Sequence, residues 1–240
     1  MIDKSSPLPI YYQLAEQLKK RIESGELQPG DALPAEREYA EQLQISRMTV
    51  RQAINNLVND GYLYRQKGKG TFVAEKKLEQ QLVGLTSFTE DMKARGLVPS
   101  SRLLHFKIVP ATDKIADQLK INKYEPVYEI VRIRLADDVP MALETVYISA
   151  NLVIGLTEEV IHHSLYQYIE EKLGFTISRA TQTLEAALAS EMEMKHLNIK
   201  KGVPILLIER HTFLEDGVPL EYVKSSYRAD RYKFTINMNR

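Results

Sequence analysis

Apolar residues Ile10, Tyr11, Leu14, Leu18 and Ile22 recur at helical spacing behind Pro9. They predict a helix over 10–24, stopped by Gly25. Residues 27–33 carry Pro29-Gly30, a turn signal. Pro34-Ala35-Glu36 opens a second helix running to about Leu43, since proline suits a first helical turn and acids suit its positive end. Ser46 is placed to cap a third helix, its hydroxyl accepting a first-turn N–H. Met48, Val50, Ala53, Ile54 and Leu57 are expected to form that helix's apolar face, and Asn59-Asp60-Gly61 ends it. Two short β-type pieces, 62–65 and 71–73, flank the hairpin loop Gln66-Lys67-Gly68-Lys69-Gly70. Helix–turn–helix–hairpin in so short a stretch predicts a winged helix.

From 82 onward the pattern changes. Residues 87–95 read as a capped helix ended by Gly96, and 102–109 as a strand. Pieces 127–135 and 141–148 flank Asp137-Asp138-Val139-Pro140 and predict a hairpin. An amphipathic helix is expected over 164–172, a strand over 176–186, and a short helix over 190–197. Pieces 205–214 and 220–226 flank Glu215-Asp216-Gly217 as a second hairpin, with an edge strand at 234–237. Asp137-Asp138-Val139-Pro140 and Asp216-Gly217-Val218-Pro219 match at an offset of 79, which suggests two similar hairpins. The fold class read from this pattern is α+β: a winged helix-turn-helix domain over 1–75, a linker at 76–81 within a polar stretch, and an antiparallel-sheet domain over 82–240.

Composition narrows the chemistry. The 240 residues include no cysteine, so disulfides, thiol nucleophiles and Cys-ligated zinc are excluded. No apolar stretch approaches the ~18 residues a membrane helix needs, and the start lacks the apolar run of a signal peptide. A soluble cytoplasmic protein without membrane partners is the expectation. Total charge is zero but unevenly spread. Residues 1–45 carry five Lys/Arg and eight Asp/Glu, whereas 46–77 carry seven Lys/Arg and two Asp/Glu. The five histidines show no metal-ligand spacing, and no nucleophile-elbow or phosphate-loop motif occurs. No metal, no cofactor and no catalysis are expected.

Two clusters remain. Arg47, Thr49 and Arg51 occupy the first turns of the third helix, where base contacts of a recognition helix are made, and Arg37 lies near the start of the preceding one. An arginine fork bonds O6 and N7 of guanine, or grips a phosphate. A solvated basic face accounts for this helix alone equally well. Lys67-Gly68-Lys69-Gly70 tips the balance, because glycines let backbone approach a groove and lysines attract phosphate. In the second segment, Arg132 and Arg134 share one strand face, and Glu144 joins them if the register is right. That trio suits a small anionic, hydroxylated ligand. By composition alone, a cross-strand salt-bridge ladder on a solvated face is the better reading.

The residues also carry a family likeness. Leu33-Pro34-Ala35-Glu36-Arg37, Ile45-Ser46-Arg47-Met48-Thr49-Val50-Arg51-Gln52-Ala53 and Gly68-Lys69-Gly70-Thr71-Phe72-Val73 resemble the winged helix of the GntR superfamily. Leu85-Thr86-Ser87-Phe88-Thr89-Glu90-Asp91-Met92, Arg132-Ile133-Arg134, Leu143-Glu144 and Tyr227-Arg228-Ala229-Asp230-Arg231-Tyr232 resemble the UTRA effector domain of the HutC subfamily, a chorismate-lyase-like fold. Within that subfamily, 46–52 and 87–92 resemble the repressors of N-acetylglucosamine utilisation. Gln44 stands where many relatives have glycine.

The resemblance implies DNA contacts from Arg37, Ser46, Arg47, Thr49 and Arg51 and from a wing of Lys67, Gly68, Lys69 and Gly70. It implies effector contacts from Phe88, Thr89, Arg132, Arg134, Glu144, Ser164, Tyr166, Glu221 and Tyr227. The protein expected is a cytoplasmic bacterial homodimer that represses transcription from double-stranded operator DNA. A small metabolite would release it, with glucosamine 6-phosphate or N-acetylglucosamine 6-phosphate the expected effector. Another sugar phosphate or small anion is the alternative, and a chorismate-lyase-like enzyme a more distant one.

Overall fold

The computed structural model describes residues 2–75, 77–82 and 84–238. They form two compact units, Met1–Lys76 and Lys77–Arg240.

The first unit contains α1 (Ile10–Glu23), α2 (Glu36–Leu43), α3 (Arg47–Asn59), β1 (Leu63–Gln66) and β2 (Gly70–Val73). Its core is Leu14 and Leu18 of α1, Val50, Ala53, Ile54 and Leu57 of α3, with Leu33, Leu63 and Val73 closing it. Ser46 caps α3 as expected, its Oγ accepting the Thr49 N–H at 3.0 Å. Gln44 ends α2 in the left-handed region, with φ 51°. Met48 departs from its expected place: it is 67% exposed, while Val50, Ala53, Ile54 and Leu57 are buried. The cause is helical phase, since a residue two positions before Val50 lies on the far side of a 3.6-residue turn. β1 and β2 pair antiparallel, and Ala32 bridges to Phe72, so 30–33 lies alongside the wing.

The second unit contains β3 (Leu78–Gln81), α4 (Phe88–Ala94), β4 (Pro99–Pro110), α5 (Asp113–Leu119), β5 (Pro126–Ala136), β6 (Val139–Ser149), α6 (Glu158–His162), α7 (Leu165–Gln167), β7 (Ile177–Leu188), α8 (Glu191–Leu197), β8 (Pro204–Leu214), β9 (Pro219–Arg228) and β10 (Tyr232–Thr235). Six strands form one antiparallel sheet in the order β4-β5-β6-β9-β8-β7. The two expected hairpins, β5–β6 and β8–β9, meet at the β6–β9 pair in its centre. Their turns differ. Asp137 and Asp138 both take positive φ, the two-residue hairpin form, while in the second turn Gly217 supplies it.

One sheet face buries Ile130, Val146, Ile148 and Val223 beneath α6 and α7. The other packs Val127 and Tyr222 against α5, and Ile133, Leu143 and Ile205 against α8.

Three expectations are corrected. Residues 78–81 of the expected linker form β3, which pairs in parallel with β10; Lys76, its first position, lies outside the described residues. The segment looked polar because the β3 strand offers few apolar side chains; its backbone pairing fixes it. The last strand sits at Tyr232–Thr235 rather than 234–237 and joins β3, not the edge of the large sheet. The helix expected over 164–172 is one α turn followed by a π turn, Tyr168–Lys172.

Candidate functional site

In the first unit α3 turns Arg47, Met48, Arg51 and Gln52 outward. Glu36 at the start of α2 joins this helix to the wing: its carboxylate accepts Arg51 Nε at 2.9 Å and Arg65 Nη2 at 3.2 Å. Arg37 is exposed and faces Glu41 at 3.4 Å. Arg47 is exposed and makes no ion pair among the described residues. Thr49 is half-buried, its hydroxyl 2.8 Å from that of Ser46. Lys67, Gly68, Lys69 and Gly70 form the exposed tip of the wing, with Gly68 at φ 76° and Gly70 at φ 127°. Both values lie where side chains with a Cβ are strained. Tyr64 stacks on Phe72, ring centres 5.6 Å apart, and stiffens the strands below that tip. Exposed cations on an N-terminal helix turn and a glycine-lysine loop match phosphate and base-edge contacts. Glu36 and Arg65 were not found from sequence, because their pairing spans 29 residues.

In the second unit Phe88, Thr89, Arg132, Arg134, Glu144, Ser164, Tyr166, Glu221 and Tyr227 all line one cavity. The register places Arg132 opposite Glu144 on β6 and Arg134 opposite Ala142, so both arginines and the glutamate share a face. That face is buried, with Arg132 5% and Arg134 4% exposed, so the solvated ladder favoured by composition is not what forms. Arg132 is committed within the protein: Nε donates to Glu144 Oε2 at 2.5 Å, and Nη1 to the Ile161 carbonyl at 3.1 Å.

Arg134 is different. Its Nη2 donates to Thr89 Oγ1 at 3.0 Å, and its guanidinium lies 4.6 Å from the Phe88 ring centre. Its buried Nε has no hydrogen-bond partner. Burial and then the Arg132 charge push its pKa down to about 10, so it is still a cation at neutral pH.

At the other side of the cavity Glu221 Oε1 accepts Tyr166 Oη at 2.6 Å and Thr212 Oγ1 at 2.9 Å. Burial raises Glu221 above the ordinary carboxylate range despite these bonds. Glu144 is also buried, but Arg132 and Arg134 hold it below that range. Burial raises Tyr166, and pushes Tyr227 up to about 12, so both phenols stay protonated donors.

The sequence reading missed Arg210, which also lines the cavity. Its Nε donates to Gln182 Oε1 at 2.9 Å. It lies on β8 two residues before Thr212; the expected hairpin sets β8 beside β9, which carries Glu221, and the sheet order sets β9 beside β6, which carries Glu144. Three arginines facing two carboxylates leave a net positive cavity that also offers hydroxyls. Among the described residues no group of three or more acidic or histidine side chains could hold a metal, and no helix is long and apolar enough to cross a membrane.

Comparison with known proteins gives this geometry a family. Residues 10–73 match the model of bacterial regulatory proteins of the gntR family, and 94–233 match the UTRA domain. The chain belongs to the GntR family of transcriptional regulators that carry a UTRA domain, and is a repressor of the GntR/HutC type. It is 52% identical over 239 residues to the HTH-type transcriptional repressor NagR of Bacillus subtilis, covering 100% of this chain and 98% of that protein. It is 36% identical to the mannosyl-D-glycerate transport/metabolism system repressor MngR of Escherichia coli, covering 95% of each. The crystal structure of PhnF from Mycobacterium smegmatis superposes with a TM-score of 0.69 at 34% identity, covering 94% of this chain and 98% of that one. These relatives are regulators rather than enzymes. A regulator of this family binds DNA through the first unit and a small-molecule effector through the second.

Proposed function

We propose that the protein is a homodimeric repressor of N-acetylglucosamine utilisation, released from a palindromic operator by an amino-sugar phosphate. Arg37, Ser46, Arg47, Thr49 and Arg51 meet the major groove and its phosphates, and the wing residues Lys67, Gly68, Lys69 and Gly70 lie along the minor groove. Two such heads read half-sites about one helical turn apart.

The observation that carries the effector reading is Arg134, which lines a cavity that also holds buried carboxylates and whose buried Nε has no partner. A buried donor left unpaired costs about 1–3 kcal/mol, and an anionic oxygen removes that cost. Phosphate at Arg134, Thr89 and Ser164, with hydroxyls or an amine at Glu144, Glu221, Tyr166 and Tyr227, uses both ends of the cavity. Phe88 supplies an apolar wall. The likeness of 46–52 and 87–92 to repressors of N-acetylglucosamine utilisation supports the amino sugar.

A panel of glucosamine 6-phosphate, N-acetylglucosamine 6-phosphate, glucose 6-phosphate, free glucosamine and urocanate tests this by thermal shift and by operator release. An amino-sugar phosphate should raise the melting temperature by mass action and weaken operator binding ~5–150-fold. Stabilisation by urocanate or glucose 6-phosphate in its place would overturn the assignment.

A further inference from the structure

Met48 is the outward-facing apolar residue on a helix whose neighbouring outward positions are charged or polar. It is 67% exposed on the second position of α3, one residue from Arg47, three from Arg51 and four from Gln52. Positions three and four apart share a helix face, so Met48, Arg51 and Gln52 form one patch directed away from the core. Among the described residues Met48 belongs neither to the core of the first unit, to which α3 gives Val50, Ala53, Ile54 and Leu57, nor to the apolar residues packed against it. Beside it Arg47 makes no ion pair among the described residues, and Arg51 on the same face is paired with Glu36 at 2.9 Å.

A flexible thioether side chain set between cations at the N-terminal turn of a reading helix suits one feature of the major groove. Among base edges there, the thymine C5-methyl is the apolar one, and it is met by apolar side chains. Arginine forks read guanine, so a methionine between them adds a contact of opposite character. We propose that Met48 is a specificity-determining residue that packs on a thymine methyl in each operator half-site. This rests on the DNA-reading assignment of α3 above.

The test uses the full-length protein and duplexes it enriches from a random pool. Each thymine of an enriched duplex is replaced in turn by deoxyuridine, which removes the methyl and leaves the hydrogen-bonding edge intact. Losing one buried methyl should weaken binding by about fourfold at the contacted thymine. Met48→Leu should keep that preference. Met48→Ala should bind the thymine and deoxyuridine duplexes equally, with an unchanged melting temperature because the side chain is exposed. If duplexes are enriched but no thymine is sensitive, or if Met48→Ala retains the same thymine-to-deoxyuridine ratio, this proposal falls and the DNA reading stands. If no duplex is enriched, the DNA reading falls and takes this proposal with it.

Discussion

Arg51 in the first unit and Arg132 in the second make the same contact, a guanidinium Nε on a glutamate oxygen, in opposite environments. Arg51 meets Glu36 at 2.9 Å with its side chain 46% exposed; Arg132 meets Glu144 with its side chain 6% exposed. The exposed pair is screened, contributes little to stability and leaves Arg51 able to exchange its partner for a phosphate or a base. The buried pair cannot exchange without leaving a carboxylate unpaired in the interior. Arginine in the head is thus a ligand-seeking group, whereas Arg132 builds the cavity wall beside which Arg134 remains available.

The sharpest way to break that contrast is to remove each arginine in turn. Arg132→Ala should destabilise the second unit by roughly 3–5 kcal/mol, because Glu144 is left buried and unpaired. Arg51→Ala should change stability by less than about 1 kcal/mol. Denaturant midpoints of the two variants decide this. Glu144 adds a pH signature. Its folded pKa lies below its ordinary value of 4.5, so its stabilising contribution is present above pH 4.5 and is lost as pH falls through the folded value. Arg132→Ala should flatten that acid limb. Equal costs for the two arginines would sink the comparison.

Arg134→Ala comes next in size. Among the described residues the guanidinium bonds only Thr89 and packs on Phe88, so its removal should spare the fold far more than loss of Arg132. Effector affinity should fall about 100-fold, the equivalent of one or two charge-assisted hydrogen bonds. Calorimetry with the amino-sugar phosphate should record that loss while operator affinity without effector stays unchanged. An unaltered effector affinity would move the anion site to Arg210.

In the head, Arg47→Ala should weaken operator binding by roughly 5–150-fold if the residue reads a base, with relaxed sequence preference at one position. Lys67→Ala should weaken all duplexes alike and reduce the salt slope by about one. Filter binding at several salt concentrations separates the two. A uniform loss for Arg47→Ala would make it a phosphate contact instead.

These residues also mark what could be read from the chain alone. The head was legible almost to its caps, because its signals are local: Ser46 lies three residues from the Thr49 amide it holds, and the buried stripe of α3 repeats every turn. Met48 was misplaced because a methionine next to a stripe looks like part of it, and only the helical phase tells otherwise. The nine cavity residues were gathered by family likeness, while their strand alternation left open whether the arginines faced solvent or an interior. That question is settled by what covers the sheet, α6 and α7, which no spacing within β5 encodes. Arg210 and Glu36 escaped because each acts across long sequence separations, Arg210 reaching the Thr86 carbonyl 124 residues away. The strand at Leu78–Gln81 escaped for the same reason, its partner lying at the far end of the chain.

The smallest effect concerns the turn between α2 and α3, where the head's own economy can be measured. Gln44 adopts φ 51° and ψ 49°, a conformation glycine takes freely and residues with a Cβ take at a cost of roughly 1–2 kcal/mol. Its carbonyl accepts Lys4 Nζ at 3.0 Å, a bond that survives any side-chain change. Glycine would relieve the backbone strain but add freedom to the unfolded chain, worth about 0.4–1 kcal/mol in the opposite sense. The net expectation for Gln44→Gly is a gain of about 0.5–1 kcal/mol, read as a higher melting temperature of the head. Gln44→Val should lose stability, since β-branching worsens the left-handed conformation. A stabilising Gln44→Val, or a destabilising Gln44→Gly, would mean that the turn is held by the glutamine side chain rather than tolerated in spite of it.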